Sequence, residues 1–67
     1  MNLKINNEKH SLPAPLSLKE LLATLSMGEK KGIAVAVNDS IVIRDAWERH
    51  TLQENDSITI IQATQGG

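Results

Sequence analysis

The chain has 67 residues, 40% of them apolar and 22% charged, which is the make-up of one small folded domain rather than a disordered segment. Its formal net charge of −1 argues against a nucleic-acid binder or a polybasic membrane anchor, both of which need a basic stripe. With no cysteine, disulfides, thiolate catalysis and cysteine-based metal sites are excluded.

From the N-terminus, Leu3 and Ile5 alternate with Asn2, Lys4 and Asn6, the period of a half-buried strand. Asn6-Asn7-Glu8 supplies turn residues, and a second short strand is predicted over 9–12. Pro13 and Pro15 end it, because proline gives a ladder no donor. Ser17 and Glu20 then form an S-x-x-E capping box, with Leu16 and Leu21 placed as a hydrophobic staple. Leu18, Leu21, Leu22 and Leu25 fall on one helical face, and Gly28 is a natural C-terminal cap. A helix is predicted over about 18–27.

Residues 33–37 are apolar on both faces, which predicts a buried strand. Asn38-Asp39-Ser40 reads as a hairpin turn into a return strand at Ile41-Val42-Ile43. The polar stretch 44–50 is expected to make a helical turn that packs Trp47 inward. Glu54-Asn55-Asp56 is a further turn. The last strand is predicted over 57–63, with Ile58 and Ile60 on one face and Thr59 and Ile61 on the other. One helix cannot bury five strands on both faces, so it must cover one face of a single mixed sheet of four to five strands. First and last strands pairing in the middle would anchor both ends of the chain. That α+β arrangement is the ubiquitin-like β-grasp, expected over residues 1–63, with 64–67 as a flexible tail.

Residues 1–6 hold no apolar core of signal-peptide length, and the run 33–37 is too short to span a bilayer. Together with the missing cysteine, this gives the expectation of a soluble, cytoplasmic protein without membrane association. Enzyme signatures are missing as well. Gly28-Glu29-Lys30-Lys31-Gly32 lacks the spacing of a phosphate-binding loop. His10 and His50 have no ligand-like spacing and are read as solvent-facing, so no metal site is expected. No serine stands in a nucleophile-elbow context. Trp47, the one aromatic residue, is read as core under a loop. Arg44 and Arg49 are read as isolated surface arginines.

The sequence closes on Gly66-Gly67. Glycine is about 7% of residues, so such a pair arises by chance at a given position about once in two hundred. Its placement directly after a strand gives it weight. A tail without Cβ atoms can thread a narrow channel, and its carboxylate has no side chain to obstruct attack. From residue 63 onward it would extend about 3.3–3.6 Å per residue from the folded body.

The stretch Ala34-Val35-Ala36-Val37-Asn38, the spacing Val42…Arg44…Trp47…His50, the turn Asn55-Asp56-x-Ile58 and the final Gly66-Gly67 together resemble the ThiS family. That family comprises the sulfur carriers of thiamine biosynthesis, and the resemblance covers nearly the whole chain. It implies that an adenylating, E1-like partner uses ATP and magnesium to convert the terminal carboxylate into an acyl-adenylate. A sulfur donor such as a cysteine desulfurase then displaces AMP, and thiazole synthase accepts the sulfur. By this resemblance Gly67 would bear the thiocarboxylate and Gly66 would give access to it. The chain would be a carrier and co-substrate, not an enzyme, with no cofactor of its own. The residues agree with this. There is no nucleotide loop to activate a carboxylate, and no cysteine to hold sulfur as a persulfide. Docking is expected on the sheet face left open by the helix, through Ile61 with Ile41 or Ile43, although these residues also suit a core. The small subunit of molybdopterin synthase shares fold and chemistry, but its chains tend to be longer and richer in aromatic residues. A ubiquitin-like modifier and an interaction module with an incidental Gly-Gly remain as further alternatives.

Overall fold

Two asparagine-led turns set the sheet. The computed structural model describes residues 1–13, 15–28 and 31–62. Strand β1 (Asn2–Ile5) folds back onto β2 (Glu8–Ser11) through Asn6 and Asn7, at φ 51° and 69°. Two consecutive left-handed residues make a type I′ turn, whose twist matches that of the flanking strands. The turn therefore uses two residues, not three. Glu8 already pairs with Ile5, and β2 starts one residue before the predicted 9–12. Strand β3 (Ile33–Val37) and strand β4 (Ser40–Val42) repeat the device through Asn38 and Asp39, at φ 51° and 70°. Ser40 thus belongs to the strand rather than the turn.

Strand β5 (Ser57–Gln62) lies between β1, to which it runs parallel, and β3, to which it runs antiparallel. The sheet order is β2-β1-β5-β3-β4. First and last strands meet at the centre, as the β-grasp expectation required. Ala63, predicted as the end of the last strand, lies outside the described residues, as does the expected boundary between body and tail.

Helix α1 (Leu18–Thr24) crosses one face of this sheet. Its N-terminus has the full capping box: the Glu20 N–H donates to Ser17 Oγ at 3.1 Å, and the Ser17 N–H donates to Glu20 Oε1 at 2.9 Å. The remaining early donors are taken by a distant loop. Leu18 N–H reaches the His50 carbonyl at 2.8 Å and Lys19 N–H reaches the Trp47 carbonyl at 3.1 Å. No N-terminal amide of the helix is left for water to satisfy.

The helix ends earlier than the predicted 18–27, and Gly28 does not cap it. Ser26 takes the left-handed conformation at φ 61°. Its N–H donates to the Ala23 carbonyl at 3.0 Å, and Met27 N–H donates to the Leu22 carbonyl at 2.8 Å. This pair of bonds is a Schellman closure, with a serine where glycine is usual. The early stop turns Met27 against the core.

Leu3, Ile5, Val35, Val37, Ile58 and Ile60 face the helix and are buried with its Leu18, Leu21 and Leu22. Trp47 and Leu52 close the same core. A 3₁₀ turn at Arg44–Ala46 brings in Trp47, which is 4% exposed, as predicted. Its Nε1–H donates to the Val42 carbonyl at 2.9 Å, and the Arg44 guanidinium lies 4.6 Å from its ring centroid. Arg44 also donates to the Gly28 carbonyl at 3.1 Å, so it links this turn to the segment after α1 rather than standing isolated. The two-sided burial predicted for 33–37 does not occur. β3 buries Val35 and Val37 on the helix side, and the other side carries Ala34, exposed, and Ala36, half-buried. The sheet has a single layer on one face only, so two-sided apolarity here means one buried row and one bare row.

Candidate functional site

The open face of the sheet is defined by register. Cross-strand partners share a face, so the rows follow from the pairings. Ile61 on β5 stands beside Ala34 on β3. Thr59 stands beside Ala36, which stands beside Ile41 on β4. Ile43 follows β4 with extended angles, φ −68° and ψ 153°, and continues its alternation.

Ile41, Ile43 and Ile61 are 67%, 65% and 57% exposed, the large apolar side chains that the described residues leave in solvent. The sequence singled out these three for docking while suiting them equally to a core. The fold puts them outside it. Ala34 and Ala36 lie between β4 and β5, so the isoleucines rise on either side of a low floor. Large apolar side chains exposed together on one sheet face mark an interaction site more often than singly scattered ones do.

The same face carries the route to the tail. β5 is held by β1 on one side and β3 on the other, and its pairing continues to Gln62 opposite Ile33. The strand that leads to the C-terminus is therefore the central one. Gly66 and Gly67, the predicted site of chemistry, lie outside the described residues.

Away from the apolar rows, Lys4 on β1 stands directly opposite Lys9 on β2. Both are exposed, and both border an open groove with Asn2, Ser11 and Ser57. Sequence reasoning missed this pair. The signal was the Asn6-Asn7 doublet: a two-residue turn fixes Ile5 opposite Glu8 and hence Lys4 opposite Lys9.

Among the described residues nothing resembles a catalytic centre. No polar or charged side chain is buried, and no group of acidic or histidine side chains is arranged to hold a metal ion. His10 and His50 are half-buried rather than solvent-facing. His10 pairs with Leu3 on the helix side of the sheet, and the His50 carbonyl caps α1. Ser17 is committed to its cap. No described helix is long and apolar enough to cross a membrane.

A family model described as the ThiS family matches residues 2–67. The sulfur carrier protein ThiS of Escherichia coli (strain K12) is 33% identical over 67 residues, covering 100% of both chains. A protein named thiazole synthase from Magnetococcus marinus is also 33% identical over 67 residues, and this chain spans 20% of its length. Among solved structures, the crystal structure of a thiamine biosynthesis protein (ThiS) from Geobacter metallireducens matches with a TM-score of 0.85 at 25% identity, covering 100% of each chain. The solution structure of a thiamine biosynthesis protein from the same organism matches with a TM-score of 0.81 at 25% identity, covering 100% of this chain and 88% of that one.

Proposed function

This chain belongs to the ThiS family, and from that premise we propose that it delivers sulfur through a thiocarboxylate at Gly67. It is a sulfur carrier protein of thiamine biosynthesis and a co-substrate rather than a catalyst. The carrying observation is a full-length likeness to a sulfur carrier in a chain that ends in Gly66-Gly67.

A carboxylate is a poor electrophile until one oxygen becomes part of a good leaving group. In the proposed cycle a Gly67 oxygen attacks the α-phosphorus of ATP on an adenylating, E1-like enzyme, and magnesium pyrophosphate departs. A sulfur donor, such as the persulfide of a cysteine desulfurase, then attacks the acyl carbon and AMP leaves with the original oxygen. The acyl disulfide so formed is cleaved by a thiol reductant: its S–S bond breaks, the thiol is oxidised to a disulfide, and the carrier thiocarboxylate and the donor thiol are released. Its anionic sulfur is the nucleophile presented to thiazole synthase, as thiolates are the nucleophilic form of thiols. The partners supply orientation and charge stabilisation. Gly66 gives the narrow backbone that lets the terminus enter their sites.

Two features support docking through the open face. Ile61 lies on the strand that leads to the tail, so a partner gripping Ile41, Ile43 and Ile61 also aims the C-terminus. The relative named thiazole synthase contains a segment similar to this chain within a longer polypeptide, which supports a working pair of carrier and acceptor. Covalent linkage raises the effective concentration of two such partners. We place the cycle in the cytoplasm.

Intact-mass analysis tests the proposal after incubation with the adenylating enzyme, ATP, magnesium and a sulfur source. The expected product carries one sulfur in place of one oxygen, localised to Gly67 by fragmentation. No exchange, under conditions that charge an established carrier, overturns the assignment of the site.

A further inference from the structure

Lys4 and Lys9 form a like-charged pair that no ion pair neutralises among the described residues. Because Ile5 and Glu8 close a two-residue turn, they are a hydrogen-bonded pair, and the next pair along, Lys4 and Lys9, is not hydrogen-bonded. The Lys4 N–H accordingly points away from β2 and donates to the Asp56 carbonyl at 3.0 Å. Non-hydrogen-bonded pairs bring side chains closest, with Cα atoms about 4.5 Å apart. Two ammonium groups thus leave neighbouring points on one face, and like charges directly opposite each other destabilise a sheet.

The other strand positions of the face carry no charge, and the carboxylate at its edge, Glu54, accepts the Asn2 N–H at 3.0 Å without pairing with either lysine. Those strand positions are Asn2, Ser11, Ser57, Thr59, the two alanines and the isoleucines. Among the described residues no carboxylate forms an ion pair with either lysine. The chain as a whole carries 8 acidic and 7 basic residues, so the local positive charge is a matter of segregation, not of composition.

The pair also has a position. Lys4 is in register with Ser57, the first residue of β5, whereas Ile61 is four residues further along. At about 3.3 Å per residue that separates the two features by roughly 13 Å along the strand. The lysines lie in the Ser57 row at the start of β5, Ile41 lies in the intermediate Thr59 row, and Ile61 lies near the end of the strand.

We propose that Lys4 and Lys9 form a cationic anchor that seats a carboxylate-bearing surface of the tail-activating enzyme. The proposal rests on the sulfur-carrier reading and adds the chemistry of the partner's surface. An apolar patch holds but does not orient, because hydrophobic contact is non-directional. A second contact of opposite chemistry in the Ser57 row fixes which way the face lies, and with it where the C-terminus points. Charge complementarity acts chiefly on encounter rate and register. Two lysines on a chain of net negative charge suit an acidic protein surface. Phosphate polymers and anionic membranes are gripped by larger clusters, of about four or more basic residues.

The test is the association rate of the chain with its adenylating enzyme, measured by stopped flow at about 50 mM and about 500 mM salt. Lys9→Glu places opposite charges across the pair, and its thermal unfolding serves as the check on folding. The Lys4→Gln/Lys9→Gln double variant gives a second, neutral version. Both variants are expected to fold, to associate at least about fivefold more slowly at low salt, and to lose most of that deficit at high salt. Association within about twofold of the parent chain at low salt overturns the anchor while leaving the carrier reading intact, provided the parent is charged. A deficit that persists at high salt overturns it too, since that marks packing rather than charge. A parent chain that the enzyme neither binds nor charges overturns the carrier reading and the anchor with it.

Discussion

The Oδ1 atom of Asn6 accepts the backbone N–H of Ile60 at 2.8 Å. Asn6 N–H in turn donates to the Ile58 carbonyl at 2.9 Å. A turn residue, already left-handed to close the first hairpin, thus continues the parallel ladder between β1 and β5 past the end of β1. Local turn chemistry and the long-range pairing that carries the tail strand meet in one side chain. Asn6→Gly should keep the turn and lose the side-chain bond, at a cost of about 1–2 kcal/mol in urea unfolding. Asn7→Gly, with no such bond, should change stability by less than about 0.5 kcal/mol.

Ser26 at φ 61° holds the cap position that glycine fills without steric penalty. Ser26→Gly should therefore stabilise the chain by about 1 kcal/mol, seen as a higher denaturation midpoint at unchanged slope. Gly28→Ala should be close to neutral. A Cβ there would come no nearer than 3.7 Å to Ala23, an ordinary contact.

Trp47 joins three things: core burial, the bond from Nε1 to the Val42 carbonyl, and the stacked Arg44. Trp47→Phe keeps most of the first and loses the second, while the Val42 carbonyl keeps its ladder partner opposite Val35. The expected cost is about 2 kcal/mol, and Trp47→Ala should cost about 3–5 kcal/mol. Circular dichroism is the suitable probe, since the sole aromatic fluorophore is the residue being replaced.

Ile61→Asp separates fold from docking. With Ile61 57% exposed, the change should shift stability by no more than about 0.5 kcal/mol. Charging of Gly67 by the adenylating enzyme should fall at least about tenfold, through weaker binding of the body. Unimpaired charging of this variant would remove the open face from the proposed interface. Deletion of Gly66-Gly67 should leave thermal unfolding unchanged and abolish charging, which an incidental glycine pair would not do.

The signals legible in the sequence were those that act over a few residues. The Ser17–Glu20 box and the leucine spacing located the start of α1, because a capping box is satisfied within four consecutive residues. The period-2 pattern of Leu3 and Ile5 marked the buried row of β1, and that of Ile58 and Ile60 set them on a face apart from Ile61 without deciding which face is covered. The end of the helix was not legible. Gly28 looked the better cap, but Met27 packs on the core only if the chain turns at Ser26. The first hairpin turn is one residue shorter than its turn-forming residues suggest, for a related reason. Turn length is settled by the twist that the paired strands adopt, not by how many turn-forming residues are available.

By itself the sequence determined the α+β class, the inward placement of Trp47, the family and the glycine terminus on which the proposed chemistry depends. These rest on local periodicity, side-chain bulk and residue identity, which need no knowledge of neighbours distant in sequence. Tertiary structure decided what each apolar or charged residue faces. Ile58 and Ile61 differ in fate only because one helix covers one side of the sheet. Lys4 and Lys9 become a pair only through strand register. Exposure and proximity are properties of the assembled sheet, and it is the sheet that brings three separate isoleucines and two scattered lysines onto one surface.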